Sequence, residues 1–122
     1  MKGSPARGRE AHAAGLRAEA LAALLLRLKG YRILARRMKT KLGEIDLVAR
    51  RGRILVFVEV KARRDLDGAA EALMAEQRGR LARAASLFVA ARPALAALDM
   101  RFDLILVAPR RWPRHLADAW RP

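Results

Sequence analysis

Apolar positions recur at helical spacing near the start of the chain, alternate or run together through its middle, and return to helical spacing before a last apolar run. From about Arg9 to Lys29 the segment is rich in Ala and Leu, both strong helix formers. Leu16, Ala20, Ala23, Leu24 and Leu28 fall on one stripe, and Leu21, Leu25 and Leu26 carry apolar surface round most of the cylinder. A largely buried helix is expected, stopped at Gly30. Tyr31 to Lys39 alternates apolar residues with cations and predicts a strand exposed on one side. Glu44 to Arg50 predicts a second strand, Arg51-Gly52 a hairpin turn, and Arg53 to Ala62 a third strand. The uninterrupted ILVFV run in the third suits a central strand covered on both faces.

Asp65 to Gly68 reads as a loop. Ala69 to about Ala91 reads as a second helix with Met74, Leu81, Ala84, Ala85 and Phe88 on one face, weakened at Gly79 and ended before Pro93. Met100 to Ala108 predicts a further strand, and the tail RRWPRHLADAWRP is expected to close in a short strand or turn around Trp112 and Trp120. The order α-β-β-β-α-β implies an α/β fold, a mixed sheet flanked by helices. Residues 10–122 are expected to form one domain, preceded by a disordered basic arm over residues 1–9.

Charge changes the picture more than size does. Lys and Arg number 26 against 12 Asp and Glu, a net charge of +14. Arg dominates the cations, and its planar fork favours phosphate, so nucleic acid is the first partner expected. An anionic membrane surface or ribosomal RNA would satisfy the charge equally well. The absence of cysteine excludes disulfides, thiolate zinc sites and Cys nucleophiles. His12 and His115 are far apart in sequence, which argues against a paired-His zinc site. The Leu-rich start is interrupted by Arg17, Glu19, Arg27 and Lys29, which fits neither a signal peptide nor a membrane span, and a cytoplasmic protein is expected.

The candidate chemistry lies in GEIDLVARRGRILVFVEVKAR, Gly43 to Arg63. Side chains at i and i+2 share a face of a strand, so Glu44, Asp46 and Val48 are expected to point one way, and Phe57, Glu59 and Lys61 one way on their own strand. A two-residue turn at Arg51-Gly52 sets Asp46 opposite Phe57 and diagonal to Glu59, whereas a four-residue loop from Arg51 to Ile54 sets it directly opposite Glu59. In either register the two carboxylates share a face, about 5 to 8 Å apart at their Cβ atoms, close enough to hold one hard cation. Mg²⁺ (or Mn²⁺) accepts two carboxylates and a main-chain carbonyl, here that of Val60, and keeps several waters. Lys61 is then placed to orient or deprotonate the attacking water and to offset charge developing on phosphorus. A solvated Glu-Lys pair is the plain alternative for Glu59 and Lys61, and an ion pair with a neighbouring Arg is the plain alternative for Glu19, which sits at the margin of the first helix's apolar stripe.

GEIDLVA followed by RILVFVEVKAR, with GLRAE on a Leu-rich helix and GYRILARR upstream and RFDLILV downstream, resembles the YraN family of small bacterial endonuclease-like proteins over Gly15 to Trp120. That family is similar to Holliday-junction resolvases and the PD-(D/E)xK superfamily, which implies a restriction-endonuclease-like fold. By that resemblance Asp46 is the first acid of the motif, Glu59 the second and Lys61 the lysine, with Ile45 where the superfamily's name has Pro. The resemblance also brings Glu19 in as a first-helix carboxylate and Gln77 as a residue facing the site from the second helix. It implies a homodimer, as in the resolvases.

A metal-dependent endonuclease acting on DNA, with branched or structured DNA as a candidate substrate, is therefore the leading expectation. Arg36, Arg37, Lys39, Lys41, Arg63 and Arg64 flank the site in sequence and are candidates for phosphate binding, with Arg78, Arg80 and Arg83 as a second basic ridge. The rivals are a non-catalytic nucleic-acid-binding or scaffold protein that keeps the nuclease fold, and a ribosome- or membrane-associated basic protein.

Overall fold

The structure is a computed structural model of the chain and describes residues 5–62 and 75–122. Helix α1 (Pro5–Leu28) is followed by β1 (Arg32–Thr40), β2 (Gly43–Arg51), β3 (Ile54–Ala62), α2 (Ala75–Ala90), a short 3₁₀ turn (Pro93–Leu95), β4 (Asp99–Val107) and β5 (Arg114–Trp120). α1 begins four residues before the expected Arg9, because Pro5 supplies a helical φ at the first position and Ala6 continues it. Part of the expected disordered arm is thus helical, and residues 1–4 lie outside the described residues. Gly30 ends the helix as expected. Its φ of 91° lets its N–H reach Arg27 O (3.0 Å) while Tyr31 N–H reaches Leu26 O (2.9 Å), the paired bonds of a Schellman cap.

The five strands lie in sequence order in one mixed sheet. β1, β2 and β3 are antiparallel neighbours, β3 and β4 are parallel, and β5 closes the edge antiparallel to β4. The parallel step requires the crossover that carries α2. β3 is central, and its Leu55 to Val58 are buried on alternating faces, as its continuous apolar run predicts. The tail forms a true strand, with Trp120 buried and Trp112 exposed.

Each helix covers one face. Ala18, Ala22, Ala23 and Leu26 of α1 pack on Leu47, Ala49, Val56, Val58 and Ile105. Ala84, Ala85 and Phe88 of α2 pack on Ile45, Val48, Leu55, Phe57 and Phe102. Small alanines let both helices lie close to the sheet. This corrects the expectation of a largely buried first helix: it meets the sheet along a stripe of alanines with Leu26, and Leu16, Leu21, Leu24 and Leu28 are exposed. Fully buried side chains such as Leu26, Leu47, Leu55 and Ile105 each contribute about 1.5 to 3 kcal/mol to this core.

The hairpin register decides the site. Arg51 pairs with Ile54, leaving Gly52-Arg53 as a two-residue turn, one position later than expected. Gly52, at φ 61°, supplies the positive φ that such a turn needs at its first central residue. Leu47 pairs with Val58, so Asp46 comes level with Glu59, the second of the two expected registers, reached by a different turn.

Candidate active site

The β2–β3 ladder ends at Leu47–Val58, and the candidate residues gather where it stops. Strict alternation would put Ile45 and Leu47 on one face, yet Ile45 and Val48 pack toward α2 and Leu47 toward α1. Ala35 and Met38 on β1 show the same reset. Between them lies Arg37, with a left-handed φ of 51°, and the β1–β2 register places it across from Asp46. The backbone is re-aimed at this point in both strands. Strained conformations of this kind concentrate at functional sites.

One consequence corrects the sequence reading: Asp46 and Glu59 do not share a face. Asp46 lines a cavity of about 290 Å³ on the α1 side with Glu19, Arg37, Glu44 and Val60. Glu59 lines a smaller one of about 110 Å³ on the α2 side with Gly43, Glu44, Gln77 and Arg80. The two carboxylates still meet, through the gap left where the ladder ends. Asp46 Oδ2 accepts the Val60 N–H at 2.8 Å, in place of a main-chain rung. Burial first, then the charge of Glu59, and also a hydrogen bond to it, push the Asp46 carboxyl up to about 7. The pair behaves as two acids competing for one position.

Lys61 Nζ lies 3.2 Å from Glu59 Oε1, and both side chains are nearly buried. The plain salt-pair reading of these two residues is therefore physically present, but it sits beside Asp46 rather than in open solvent. Glu19 makes the ion pair expected of it and stands beside Asp46. It is buried, 3.4 Å from Arg36 Nε and 3.8 Å from Arg37 Nε, and it lines the same cavity as Asp46. Its carboxyl is raised by burial, against the lowering effect of Arg36 and Arg37. Gln77 lines the smaller cavity together with Glu59.

The proposed phosphate binders divide. Arg37 lines the Asp46 cavity, and it and Arg36 are both engaged by Glu19, with Arg37 also 4.0 Å from Glu44. Lys39 and Lys41 are exposed at the end of β1. Arg63 and Arg64 lie outside the described residues. Of the second basic ridge, Arg80 lines the Glu59 cavity and Arg83 a separate groove of about 750 Å³ with Met100, Phe102 and Trp120. Among the described residues no group of three or more His, Cys, Asp or Glu is close enough to hold a metal ion. A cation at Asp46 and Glu59 would complete its shell with a main-chain carbonyl and water, as hard oxygen-seeking ions do.

Sequence reasoning missed two features. Glu44 lines both cavities; its signal was its i−2 relation to Asp46. The other is a buried network around Asp103, which is wholly inaccessible. Arg101 holds it with two bonds of 2.8 Å, His115 Nε2 lies 2.6 Å away, and the Asp118 N–H donates at 2.9 Å. His115 Nδ1 accepts from Lys29 Nζ at 2.9 Å. These bonds hold the Asp103 carboxyl down at about 2 despite its burial. The network ties β5 and the end of α1 to the sheet. A lone carboxylate inside RFDLILV was the clue.

Comparison with known proteins is uniform. The model of "Uncharacterised protein family UPF0102" matches residues 18–107. A UPF0102 protein of Parvibaculum lavamentivorans is 64% identical over 121 residues, covering 99% of this chain and 91% of its own length. UPF0102 proteins of Methylorubrum extorquens and Caulobacter vibrioides are 56% and 54% identical, covering 94% and 93% of this chain and 90% and 91% of their own. The chain belongs to the UPF0102 family. Among the described residues no helix is long and apolar enough to cross a membrane.

Proposed function

We propose that this UPF0102 member is a metal-dependent phosphodiesterase of restriction-endonuclease-like fold, acting on DNA, with branched DNA as the preferred form. The observation that carries the reading is the meeting of Asp46 and Glu59 at the end of the β2–β3 ladder, with Asp46 pushed up to about 7 by burial and by its neighbour. Two carboxylates forced together with too little positive charge form a donor set suited to a hard divalent cation. The resemblance to the YraN family and the resolvases, and the charge of +14, support the same reading.

Asp46, Glu59 and the Val60 carbonyl are the groups that would hold Mg²⁺ or Mn²⁺. When bound, such an ion supplies polarisation of the phosphodiester and a lowered pKa for water. The chain's own residues do the rest. Lys61, held beside Glu59, orients the attacking water and offsets charge on the phosphoryl oxygens as the new P–O bond forms and the old one breaks. Glu19 positions Arg37 at the cavity and Arg36 beside it, where their forks meet substrate phosphates. Gln77 closes the α2 side.

Incubating the protein with branched, flapped and linear DNA plus Mg²⁺ or Mn²⁺ tests the reading. Metal-dependent product from the wild type and none from Glu59→Ala is expected. Equal product from both sinks it. Metal-independent binding that survives loss of Asp46 and Glu59, with no product, would favour the scaffold alternative.

A further inference from the structure

The cations beside the cleft are largely engaged by carboxylates: Arg36 and Arg37 by Glu19, Lys61 by Glu59. Farther away, Arg101 is held by Asp103 and Arg121 by Asp118. The β2–β3 turn is different. Arg50, Arg51 and Arg53 crowd around Gly52, and none takes part in an ion pair among the described residues. Each guanidinium is instead anchored to a main-chain carbonyl: Arg50 Nε to Gly52 O at 2.9 Å, Arg51 Nη1 to Lys29 O at 3.1 Å, and Arg53 Nη2 to Ala97 O at 3.2 Å. Arg51 also lies over the Tyr31 ring, 4.4 Å from its centroid. Lys29 is exposed beside them, and Arg32 pairs with Arg50 across the β1–β2 ladder.

A carbonyl orients a guanidinium without neutralising it. The turn therefore presents fixed planar donors that keep their full charge. From Asp46 to Arg51 the strand advances five residues, about 17 Å, so this surface stands apart from the carboxylates, at the other end of the hairpin.

We propose that Arg50, Arg51 and Arg53, with Lys29 and Arg32 beside them, form a second polyanion-binding surface that takes the phosphate backbone of nucleic acid. Rigidly aimed forks suit a regular array of phosphates better than a fluid headgroup layer, and the turn Arg50-Arg51-Gly52-Arg53 carries no apolar side chain to enter a bilayer. This surface does not depend on the nuclease reading, because it requires neither metal nor turnover.

The test is fluorescence anisotropy on the full chain with a labelled DNA duplex of about 20 base pairs, in chelator, between about 50 and 200 mM salt. The slope of log affinity against log salt should fall by about 0.9 for each lost phosphate contact, and so by nearly 3 in Arg50→Gln/Arg51→Gln/Arg53→Gln. The corresponding triple Lys variant should keep most of the slope. Arg53→Gln alone, whose guanidinium donates at the surface, gives a drop of about 0.9 without disturbing the cap at Lys29. An unchanged slope in variants with wild-type melting temperatures overturns the proposal. So does loss of binding to phosphatidylglycerol vesicles with duplex binding intact, which would make the turn a membrane contact. A lowered slope in a protein that never cleaves DNA would sustain this surface and remove the nuclease assignment.

Discussion

Replacing Asp46 by Asn should stabilise the metal-free protein above neutral pH, the reverse of what is usual for a buried hydrogen-bonding residue. Asp46 has its carboxyl raised from an ordinary value of 3.8 to about 7, first by burial and then by Glu59. Between those pH values the folded chain keeps a proton that the unfolded chain releases, so stability falls as pH rises through the window. At about 1.4 kcal/mol per tenfold change in proton affinity, the full span is worth about 4 kcal/mol; partial access to solvent and sharing with Glu59 reduce it to about 2 to 3 kcal/mol. Asn reproduces the protonated acid. Its Oδ1 accepts the Val60 N–H that Asp46 now holds at 2.8 Å, and its Nδ2 donates toward Glu59. Urea unfolding in chelator should therefore show Asp46→Asn and wild type equal near pH 4 and the variant ahead by about 2 to 3 kcal/mol at pH 8. Mg²⁺ at pH 8 should close the gap by stabilising the wild type alone. A variant less stable than wild type at pH 8, or a difference that does not change with pH, would refute the account of strain between Asp46 and Glu59.

Other outcomes follow from the same geometry. Asp103→Leu strands the Arg101 guanidinium and His115 beside a wholly buried position and should cost about 3 to 5 kcal/mol in urea unfolding. Because the Asp103 carboxyl is held at about 2, below its ordinary 3.8, its contribution is complete above about pH 4 and is lost as pH falls through about 2. A steeper acid-unfolding limb in wild type than in Asp103→Asn would register it. Arg37→Gly should be about 1 kcal/mol more stable than Arg37→Ala in thermal melts, since both lose the guanidinium but only glycine accepts φ 51° freely. Lys61→Met should lower single-turnover cleavage by about 100-fold or more while leaving metal binding intact.

Much of the architecture could be read from the sequence because each strand announces itself by local composition. ILVFV could be little other than a central strand, and Gly30 marked the end of α1 as clearly as its cap now shows. Faces were harder. Alternation assumes an unbroken pleat, and the left-handed backbone at Arg37, with the matching reset around Asp46, turned one carboxylate toward α1 and left the other toward α2. A non-glycine residue at positive φ carries no sequence signal. The turn slipped by one residue because Gly52 serves as the first central residue of a two-residue turn, whereas Arg51-Gly52 treats it as the second. The leucines of α1 misled for a different reason. Helix propensity and apolarity ranked them above the alanines, but close approach to a sheet rewards small side chains, so the core took Ala18, Ala22 and Ala23 and, of the leucines on that face, Leu26. Asp103 and His115 come together only because β5 folds back on β4, a contact that no local pattern encodes.

Manganese-soaked crystals, read by anomalous scattering, test the central claim most directly. The account predicts a peak bridging Asp46 and Glu59, with carboxylate oxygens about 2.0 to 2.3 Å from the ion, and the loss of that peak in Asp46→Asn. Ordered Mn²⁺ elsewhere with no peak between Asp46 and Glu59 would contradict it.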